Sequence, residues 1–336
     1  MNFNSNPRIG INGFGRIGFC VLRLCAKMGI PVVAINASRT AEELAYLFKY
    51  DTIHGTFNGT IEYGEDELFI NGSRIKITHE RDPKAIPWKD LEVEFVIECT
   101  GKFLTKETAN AHLIAGAKKV ILSAPPKDDT PMFVVGVNED KYDPCMDIVS
   151  NASCTTNCLA PLAKIINDNF GIESGLMTTV HAMTSKQNTV DGYNAKDRRI
   201  ARAGSNIIPS TTGAAKAVGK VIPDLKGKLT GISMRVPVLD GSVVDLSVNL
   251  KRPADYESIC KTVLEASETY MKGVVSYCTD ARVSSDFIGN LCTCNFDVDA
   301  GIAISPTFVK LIAWYDNEMA YTNQLLKLVQ HMYSIK

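Results

Sequence analysis

Two segments of the sequence carry residue types that can act together as a nucleophile and its base. Residues 151–158 (Asn-Ala-Ser-Cys-Thr-Thr-Asn-Cys) place Cys154 where a turn of small residues leads into a predicted helix. A helix N-terminus stabilises a thiolate, and a neighbouring imidazolium would lower the pKa of the cysteine further. His181 follows a predicted strand at 176–180 and offers that imidazole. By spacing alone, the two are either a catalytic pair or two unrelated core residues.

A glycine-rich turn near the N-terminus is typical of dinucleotide binding. A strand at 8–12 leads into Gly13-Phe14-Gly15-Arg16-Ile17-Gly18, then a helix that ends near Gly29 and a second strand at 32–35. In such a βαβ unit the first glycine permits the tight turn, the second lets backbone approach a pyrophosphate, and the third lets the helix pack on the strand. The motif therefore predicts phosphate binding at the helix N-terminus.

The end of the second strand bears on the choice between NAD and NADP. NAD-binding proteins usually place Asp or Glu there, against the 2′-hydroxyl of the adenosine ribose. This chain has Asn36-Ala37-Ser38-Arg39, with no carboxylate to repel a 2′-phosphate. Ser38 can donate a hydrogen bond and Arg39 a charge-assisted one. We therefore predict that NADP is used and preferred; the alternative is that Arg39 only decorates a solvated helix start.

Composition and charge exclude several classes of protein. The 336 residues include 36 Lys and Arg against 37 Asp and Glu, a net charge of -1, so no long-range positive field exists to collect nucleic acid or a membrane surface. No apolar run approaches the roughly 20 residues that span a bilayer, and the polar N-terminus does not resemble a signal peptide. The ten cysteines and five histidines are dispersed. We expect no metal site and a reducing, cytoplasmic location.

The remaining elements predict an α/β protein of two domains. Strand-like runs at 95–99 and 119–123 flank a helix at 106–115, which predicts a doubly wound Rossmann domain over 1–153. Residues 60–77 alternate in polarity between hairpin turns and predict an antiparallel insert. An α+β catalytic domain with a mixed sheet is expected over 154–317. Its predicted elements are a helix at 155–169 and strands at 176–180, 231–238, 243–250 and 307–314.

Two further stretches have predicted roles. The last, 318–336, has helical apolar spacing and is expected to pack back on the first domain. The polar and basic stretch from Thr184 to Asn206 is long for a loop in a compact domain, so it is expected to be functional or to lie between subunits.

Several motifs, in order along the chain, resemble those of the phosphorylating glyceraldehyde-3-phosphate dehydrogenase family. The Ser-Cys-Thr-Thr-Asn run around Cys154, the early Gly-x-Gly-x-x-Gly turn and Trp314-Tyr315-Asp316-Asn317-Glu318 are the most specific. Further matches are Lys49-Tyr50-Asp51, Glu80-Arg81-Asp82-Pro83, Glu98-Cys99-Thr100-Gly101, Ser123-Ala124-Pro125, residues 211–216 and Met234-Arg235-Val236-Pro237. The resemblance implies that D-glyceraldehyde 3-phosphate, phosphate and NAD(P) react to 1,3-bisphosphoglycerate through a cysteine thioester. It also implies a homotetramer in which the loop from Thr184 to Asn206 reaches a neighbouring subunit's cofactor site.

The resemblance assigns roles residue by residue. Cys154 would be the nucleophile, and His181 would stabilise its thiolate and take the hydroxyl proton during hydride transfer. The residues implied to bind the substrate and attacking phosphates are Ser153, Thr155, Thr184, Arg199, Thr212, Gly213 and Arg235. The residues expected around the cofactor are Gly13, Gly15, Arg16, Ile17, Gly18, Ala37, Ser38, Arg39, Arg81, Thr100, Ser123, Asn317 and Tyr321.

Four points stay open in the sequence. Arg202 is an alternative to Arg199, because this loop is one residue shorter than the usual family loop, and either arginine could instead form a salt bridge between subunits. An erythrose-4-phosphate dehydrogenase would use the same thioester chemistry but release its product to water. A binding or adhesion protein would keep the fold without catalysis. Cys158, four residues after Cys154, could trap an oxidised Cys154 as a disulfide, although we favour a packed structural role.

Overall fold

The computed structural model of the protein describes residues 6–185, 187–191 and 202–335. The chain forms two compact units. The first contains the chain up to Phe133, Glu139–Ala152 and the chain from Leu325 onward, and the second contains Val134–Asn138 and Ser153–Gln324. These bounds differ from the domain limits expected from the sequence, because the beginning of the last helix and a short segment before residue 139 belong to the second unit.

The first unit is an α/β unit built on one sheet. Its elements are β1 (Ile9–Asn12), α1 (Arg16–Met28), β2 (Val32–Asn36), α2 (Ala41–Lys49), β3 (Ile61–Tyr63), β4 (Glu67–Ile70), β5 (Ser73–Thr78), β6 (Phe95–Glu98), α3 (Lys106–Ile114), β7 (Lys119–Leu122) and β8 (Ile148–Ser150). Among the described residues the strand order is β3-β4-β5-β2-β1-β6-β7-β8. The order runs outward from β1 in both directions, as in a doubly wound fold.

Strand direction in this sheet follows burial. Strands β5, β2, β1, β6, β7 and β8 are parallel to one another. Every residue of β1 and β6 is buried, as expected for strands covered on both faces. The predicted antiparallel insert is confirmed, because β4 pairs antiparallel with both β3 and β5. Helix α1 ends at Gly29, whose φ of 68° is a left-handed conformation that costs glycine little.

The second unit is built on a mixed sheet. Its elements are α4 (Cys154–Phe170), β9 (Ile172–His181), β10 (Ile208–Thr211), α5 (Ala214–Val221), β11 (Leu229–Arg235), β12 (Ser242–Leu250), α6 (Tyr256–Glu268), β13 (Val275–Cys278), β14 (Cys294–Ser305) and β15 (Phe308–Tyr315). In the described part of the unit the order is β10-β11-β9-β12-β15-β14-β13, with β9/β11 and β13/β14 parallel and the other pairs antiparallel. Helix α7 (Met319–Ser334) begins in this unit and ends in the first.

The faces of the second sheet differ in burial. Helix α4 packs against β9, β12, β14 and β15, and its Leu159, Leu162 and Ile166 are fully buried. On β9, Met177 and Thr179 are buried on one side, whereas Leu176 on the other side is 65% exposed. One face of the sheet is therefore its core and the other is open.

The predicted element bounds in this unit are only partly correct. The strand expected over 231–238 is wrong at its end, because β11 stops at Arg235, and the strand expected over 176–180 is the second half of the longer β9. Helices α5 and α6 were not foreseen, since they are short or moderately amphipathic and lie between better marked strands. Among the described residues, no helix is both long enough and apolar enough to cross a membrane.

Candidate active site

Cys154 is the first residue of α4. Ser153 caps the helix, with its Oγ accepting a hydrogen bond from the N–H of Thr156 at 3.1 Å. The residue before the cap, Ala152, has a φ of 57°, a left-handed conformation that is uncommon outside glycine. The chain therefore turns sharply out of β8, and the Cys154 thiol sits at the positive end of a helix of 17 residues.

A histidine and an arginine adjoin this thiol. Sγ of Cys154 lies 3.4 Å from Nε2 of His181 at the end of β9. Arg235, at the end of the neighbouring strand β11, is directly opposite His181 in the parallel register. Nη1 of Arg235 lies 2.6 Å from Nδ1 of His181 and 3.0 Å from the carbonyl oxygen of Ala182. The sequence pair is thus brought together, and Arg235 makes it a triad.

The contact with Arg235 favours one tautomer of His181. A guanidinium only donates hydrogen bonds, so Nδ1 accepts from Arg235 and the ring proton lies on Nε2, facing Sγ of Cys154. Nδ1 is also 2.8 Å from the carbonyl oxygen of Ala182. The other tautomer, with Nδ1–H donating to Ala182, requires Arg235 to leave Nδ1.

The electrostatics of the triad bear on the ionisation state of Cys154 and His181. Burial and the charge of Arg235 lower the pKa of His181 to about 3, so the imidazole is neutral at physiological pH. Burial raises the pKa of the Cys154 thiol, although Arg235 and the N–H groups of the first turn oppose that effect. These shifts favour a thiol that faces a neutral imidazole in the ligand-free protein. The thiolate expected at Cys154 stays a prediction.

A tyrosine supports the first turn of α4 and the strand that carries His181. The hydroxyl of Tyr315 lies 2.9 Å from Oγ1 of Thr155 and 2.9 Å from Oγ1 of Thr179. The ring of His181 stands edge-on to the Tyr315 ring, with the ring centroids 6.0 Å apart. Thr155 is buried, and its hydroxyl makes this contact inside the protein. Its implied role in phosphate binding stays a prediction.

Asn317 is linked to the histidine through two hydrogen bonds. Its Oδ1 accepts a hydrogen bond from Oγ of Ser242 at 2.7 Å. Oγ of Ser242 in turn accepts one from the N–H of Ala182 at 3.1 Å. The bond to Ser242 fixes the orientation of the Asn317 side-chain amide, and Ser242 is itself bonded to the residue that follows His181. Tyr321, on α7, is only 1% exposed.

Two buried aspartates hold the backbone around Asn317. Asp240 accepts from the N–H groups of Gly241 at 2.8 Å and Asn317 at 3.2 Å. Asp316 accepts from Met319 at 2.7 Å, at the start of α7. Burial, together with the charges of Asp316 and Glu318, raises the pKa of Asp240 to about 8. Asp240 therefore keeps its proton at neutral pH.

The residues assigned to the phosphates occupy several places. Thr212 and Gly213 precede α5, and Oγ1 of Thr212 accepts from the N–H of Ala214 at 3.2 Å. Thr184 is exposed, with its N–H bound to Oε1 of Gln187 at 3.2 Å. Arg199 lies outside the described residues. Arg202 is described, has a φ of 62°, and places Nε 4.0 Å from Oδ1 of Asp191.

The glycine turn of the first unit has the spacing that a pyrophosphate site needs. Gly13 has a φ of 94°, and a Cβ there would lie 2.8 Å from Cγ2 of Thr100. A Cβ on Gly18 would lie 2.2 Å from the carbonyl oxygen of Gly13, so the helix packs directly on the turn. A Cβ on Gly15 would have no neighbour within 4 Å. The first and third glycines are enclosed, while the second faces open space, as a dinucleotide requires.

Arg16 and Ile17 form the first turn of α1. The Arg16 guanidinium is paired with the Asp51 carboxylate, its Nη2 lying 3.0 Å from Oδ2. The side chain expected at the pyrophosphate is therefore engaged by Asp51, which leaves the N–H groups at the start of α1 as the donors for an anion.

The loop that bears on the choice of cofactor is exposed. Ser38 and Arg39 are exposed between β2 and α2, and Arg81 is exposed after β5. His79 bridges this loop, with Nδ1 2.8 Å from the carbonyl oxygen of Ala37. Arg39 forms no ion pair with any Asp or Glu in the described part of the chain, and its exposed side chain faces solvent.

Thr100 and Ser123 lie after β6 and β7. The N–H of Thr100 donates to Oε1 of Glu98 at 2.7 Å, and Oγ of Ser123 donates to the Glu98 carbonyl oxygen at 2.8 Å. Both predicted cofactor residues thus bond to Glu98. This residue begins the motif Glu98-Cys99-Thr100-Gly101, which matches the family, but no role was predicted for it.

Cys158 is fully buried one turn after Cys154 and lies 3.7 Å from the carbonyl oxygen of Ala313. The structure contains no disulfide among the described residues, which include all ten cysteines. Tyr315 and Ser242 were not predicted as site residues. Strand alternation places Tyr315 inward, but only the paired register shows that it meets Thr155 and Thr179.

Comparisons with known proteins agree with this arrangement. Residues 7–106 match the family model of the glyceraldehyde 3-phosphate dehydrogenase NAD binding domain, and residues 153–317 match the model of the C-terminal domain. The glyceraldehyde-3-phosphate dehydrogenases of Escherichia fergusonii and Salmonella typhimurium are each 58% identical over 327 residues, covering 97% of this chain and 98% of the relative. Glyceraldehyde-3-phosphate dehydrogenase A of Escherichia coli K12 is 57% identical over the same shares.

A Rossmann unit followed by a mixed-sheet unit with a cysteine at a helix N-terminus defines a dinucleotide-dependent oxidoreductase. The matches identify it further: the chain belongs to the glyceraldehyde-3-phosphate dehydrogenase family.

Proposed function

We propose that the protein oxidises D-glyceraldehyde 3-phosphate with inorganic phosphate and NAD(P) to 1,3-bisphosphoglycerate, through a thioester on Cys154. The observation that carries this proposal is the triad, with Sγ of Cys154 at a helix N-terminus and 3.4 Å from Nε2 of His181, and with Arg235 on Nδ1. The names of the relatives support the same substrate.

Attack on the aldehyde needs the thiol proton to leave. We propose that the substrate phosphate draws Arg235 away from His181, because a guanidinium fork binds phosphate strongly. Nδ1 of His181 can then donate to the carbonyl oxygen of Ala182, which leaves Nε2 as the base for the Cys154 proton. Sγ bonds to the aldehyde carbon, and the N–H of Cys154 helps to hold the oxyanion until it takes a proton as a thiohemiacetal.

The oxidation then returns the same proton to His181. Bound nicotinamide supplies the hydride acceptor. As hydride leaves the thiohemiacetal carbon, Nε2 of His181 takes the hydroxyl proton and a thioester remains on Cys154. Inorganic phosphate adds to the thioester carbonyl, and the C–S bond breaks to give the acyl phosphate and the Cys154 thiolate. Ser153, Thr212 and Gly213 are the donors proposed for that phosphate.

The cofactor assignments rest on the first unit. The open space at Gly15 and the N–H groups of Arg16 and Ile17 suit a pyrophosphate. The exposed Ser38 and Arg39 suit a 2′-phosphate, so NADP is the proposed preferred cofactor. Replacing Arg39→Ala should lower kcat/KM for NADP about tenfold and leave kcat/KM for NAD nearly unchanged. Equal losses with both cofactors would contradict this assignment.

The thioester can be isolated before phosphate is added. Mixing enzyme, aldehyde and NAD(P) without phosphate should give one burst of reduced cofactor per active site and a mass increase on the Cys154 peptide. Adding phosphate should remove that mass and start turnover. Cys154→Ser should lose both signals, whereas the buried neighbour tested by Cys158→Ser should keep them. A burst without any adduct on Cys154 would overturn the mechanism.

We also propose that the active protein is a homotetramer. Support comes from the open face of the second sheet, where Leu176 on β9 is 65% exposed and Ile232 on β11 is 47% exposed. Apolar side chains that share an open sheet face favour contact with another protein surface. A second copy of this chain is the proposed partner.

A further inference from the structure

A chain of buried polar side chains crosses the carboxyl ends of neighbouring strands in the first unit. Glu98 ends β6, Asn12 ends β1 and Asn36 ends β2, and these three strands are adjacent in the sheet. Their exposed fractions are 0%, 2% and 7%. Burying a polar group is costly unless it is hydrogen-bonded. Three buried polar side chains at one edge of the sheet therefore call for an explanation.

Each hydrogen bond in this series of buried side chains has a defined donor and a defined acceptor. Nδ2 of Asn36 donates to Oδ1 of Asn12 at 2.8 Å, and Nδ2 of Asn12 donates to Oε2 of Glu98 at 2.6 Å. The carboxylate also accepts from the N–H and the hydroxyl of Thr100. Since a carboxylate only accepts, Glu98 is the acceptor end toward which the donors of the chain point.

The opposite side of Glu98 is closed by two aromatic residues. An indole N–H can only donate, so Trp88 Nε1, 3.1 Å from Nδ1 of His112, makes that nitrogen an acceptor. The proton of His112 then lies on Nε2 and is donated to Oε2 of Glu98 at 3.1 Å. Glu98 is thereby oriented from the core side, away from the loops.

The loop side of the chain meets the segments proposed to hold the cofactor. Glu98 holds Thr100, whose Cγ2 would be 2.8 Å from a Cβ on Gly13, so the glycine turn rests on this residue. Oδ1 of Asn36 accepts from Oγ1 of Thr78 and from the N–H of Glu80, both at 2.9 Å. These bonds join the end of β2, which leads into the 2′-phosphate loop, to the segment that leads to Arg81.

We propose that Glu98, with Asn12 and Asn36, is a positioning relay that sets the spacing of the cofactor loops, and that Glu98 acts on cofactor binding through Thr100 and the glycine turn. This inference rests on the proposed dinucleotide function of the first unit. Glu98, Asn12 and Asn36 contact neither the aldehyde nor the Cys154 thiol in this proposal. Their effect is therefore expected in cofactor binding and not in the chemistry at Cys154.

The substitution Glu98→Gln tests the relay, because it keeps the shape but turns one acceptor into a donor that faces other donors. The KM for NAD and for NADP should rise about tenfold, as expected when one buried hydrogen-bonding group is left unmatched. The KM for glyceraldehyde 3-phosphate and kcat at saturating cofactor should remain close to wild type. Cofactor dissociation constants from quenching of protein fluorescence should rise in parallel.

A matched control lies at the far end of the same network. Trp88→Phe removes the donor to His112 and also destabilises the core, but it lies on the side away from the cofactor loops. It should lower the melting temperature. Because Glu98 keeps its bonds to Asn12 and Thr100, the cofactor KM should change by less than about twofold. If Glu98→Gln does not fold, Asn36→Asp serves instead, since it places an acceptor opposite the oxygens of Asn12 and Glu80 and should raise cofactor KM in the same way.

The outcomes separate the relay from the proposed function. A wild-type protein that binds neither NAD nor NADP would overturn the proposed function itself. With wild-type activity present, a melting temperature that falls while cofactor KM stays within about twofold would make Glu98 merely structural and overturn the inference. A fall in kcat with unchanged cofactor KM would overturn it as well.

Discussion

At the scale of the residue, the resting chemistry of the triad depends on Arg235. The guanidinium lies 2.6 Å from Nδ1 of His181 and disfavours a second positive charge there, while burial disfavours both the imidazolium and the thiolate. We therefore propose that the pair stays neutral until an anion engages Arg235. A thiol that is activated only beside bound substrate is also less exposed to oxidation, because the thiolate is the reactive form.

The pH dependence of alkylation tests this resting state. Because the pKa of Cys154 is raised, the rate of its modification by iodoacetamide in the ligand-free protein should climb roughly tenfold per pH unit from pH 6 to 8. Peptide mass spectrometry can follow Cys154 separately from the other nine cysteines. A rate that is already level between pH 6 and 7 would instead indicate a resting thiolate and imidazolium.

At the scale of the element, the N-terminus of α4 joins stability to catalysis. Ser153→Ala removes the cap bond to the N–H of Thr156 and should cost about 1 kcal/mol of unfolding free energy. It should also lower turnover, because Cys154 follows the cap directly. Asp255→Ala at the cap of α6 removes an equivalent bond to Ser258 and should cost a similar stability with turnover unchanged. Equal turnover in the two variants would show that the Ser153 cap does not contribute to catalysis.

The junction before α7 should make stability depend on pH. The pKa of Asp240 is raised to about 8 in the folded protein, above the ordinary value of about 3.9 in the unfolded chain. Stability from this group is therefore fully present below about pH 4 and is lost progressively as the pH rises to about 8.

The substitution Asp240→Asn removes that dependence, because an amide imitates the protonated acid. Relative to the wild type, the unfolding free energy of the variant should increase by roughly 1 kcal/mol per pH unit between pH 5 and 7. Urea denaturation at several pH values measures the difference. Parallel stability curves for the two proteins would show that Asp240 is ionised in the folded state.

Elements differ in how far the sequence foretold them. The βαβ start and the insert at β3–β5 were predictable, because glycine turns and strict alternation are local signals. Cys154 and His181 stood out by residue type. The place of Arg235 opposite His181 follows from the pairing of β9 with β11, which are about 50 residues apart. The meeting of Cys154 with His181 follows from the packing of α4 against β9, and no local pattern encodes either contact. The relay from Asn36 to Glu98 was hidden for the same reason.

At the scale of the whole molecule, the open sheet face should determine assembly. Leu176→Asp places a charge on that face and should convert the proposed tetramer into smaller species, as read by light scattering after size-exclusion chromatography. Ile114→Asp changes another exposed apolar residue, at the end of α3, and should leave the mass unchanged. A tetramer that survives Leu176→Asp would exclude this face as its interface.

The central claim is that this two-unit protein passes an acyl group from Cys154 to phosphate. The most direct measurement is the initial rate of glyceraldehyde 3-phosphate oxidation, with NAD and with NADP, in the presence and absence of inorganic phosphate. We predict that turnover requires phosphate with both cofactors. At low cofactor concentration, turnover should be faster with NADP than with NAD. Sustained turnover without phosphate would contradict the claim, since the thioester would then pass to water.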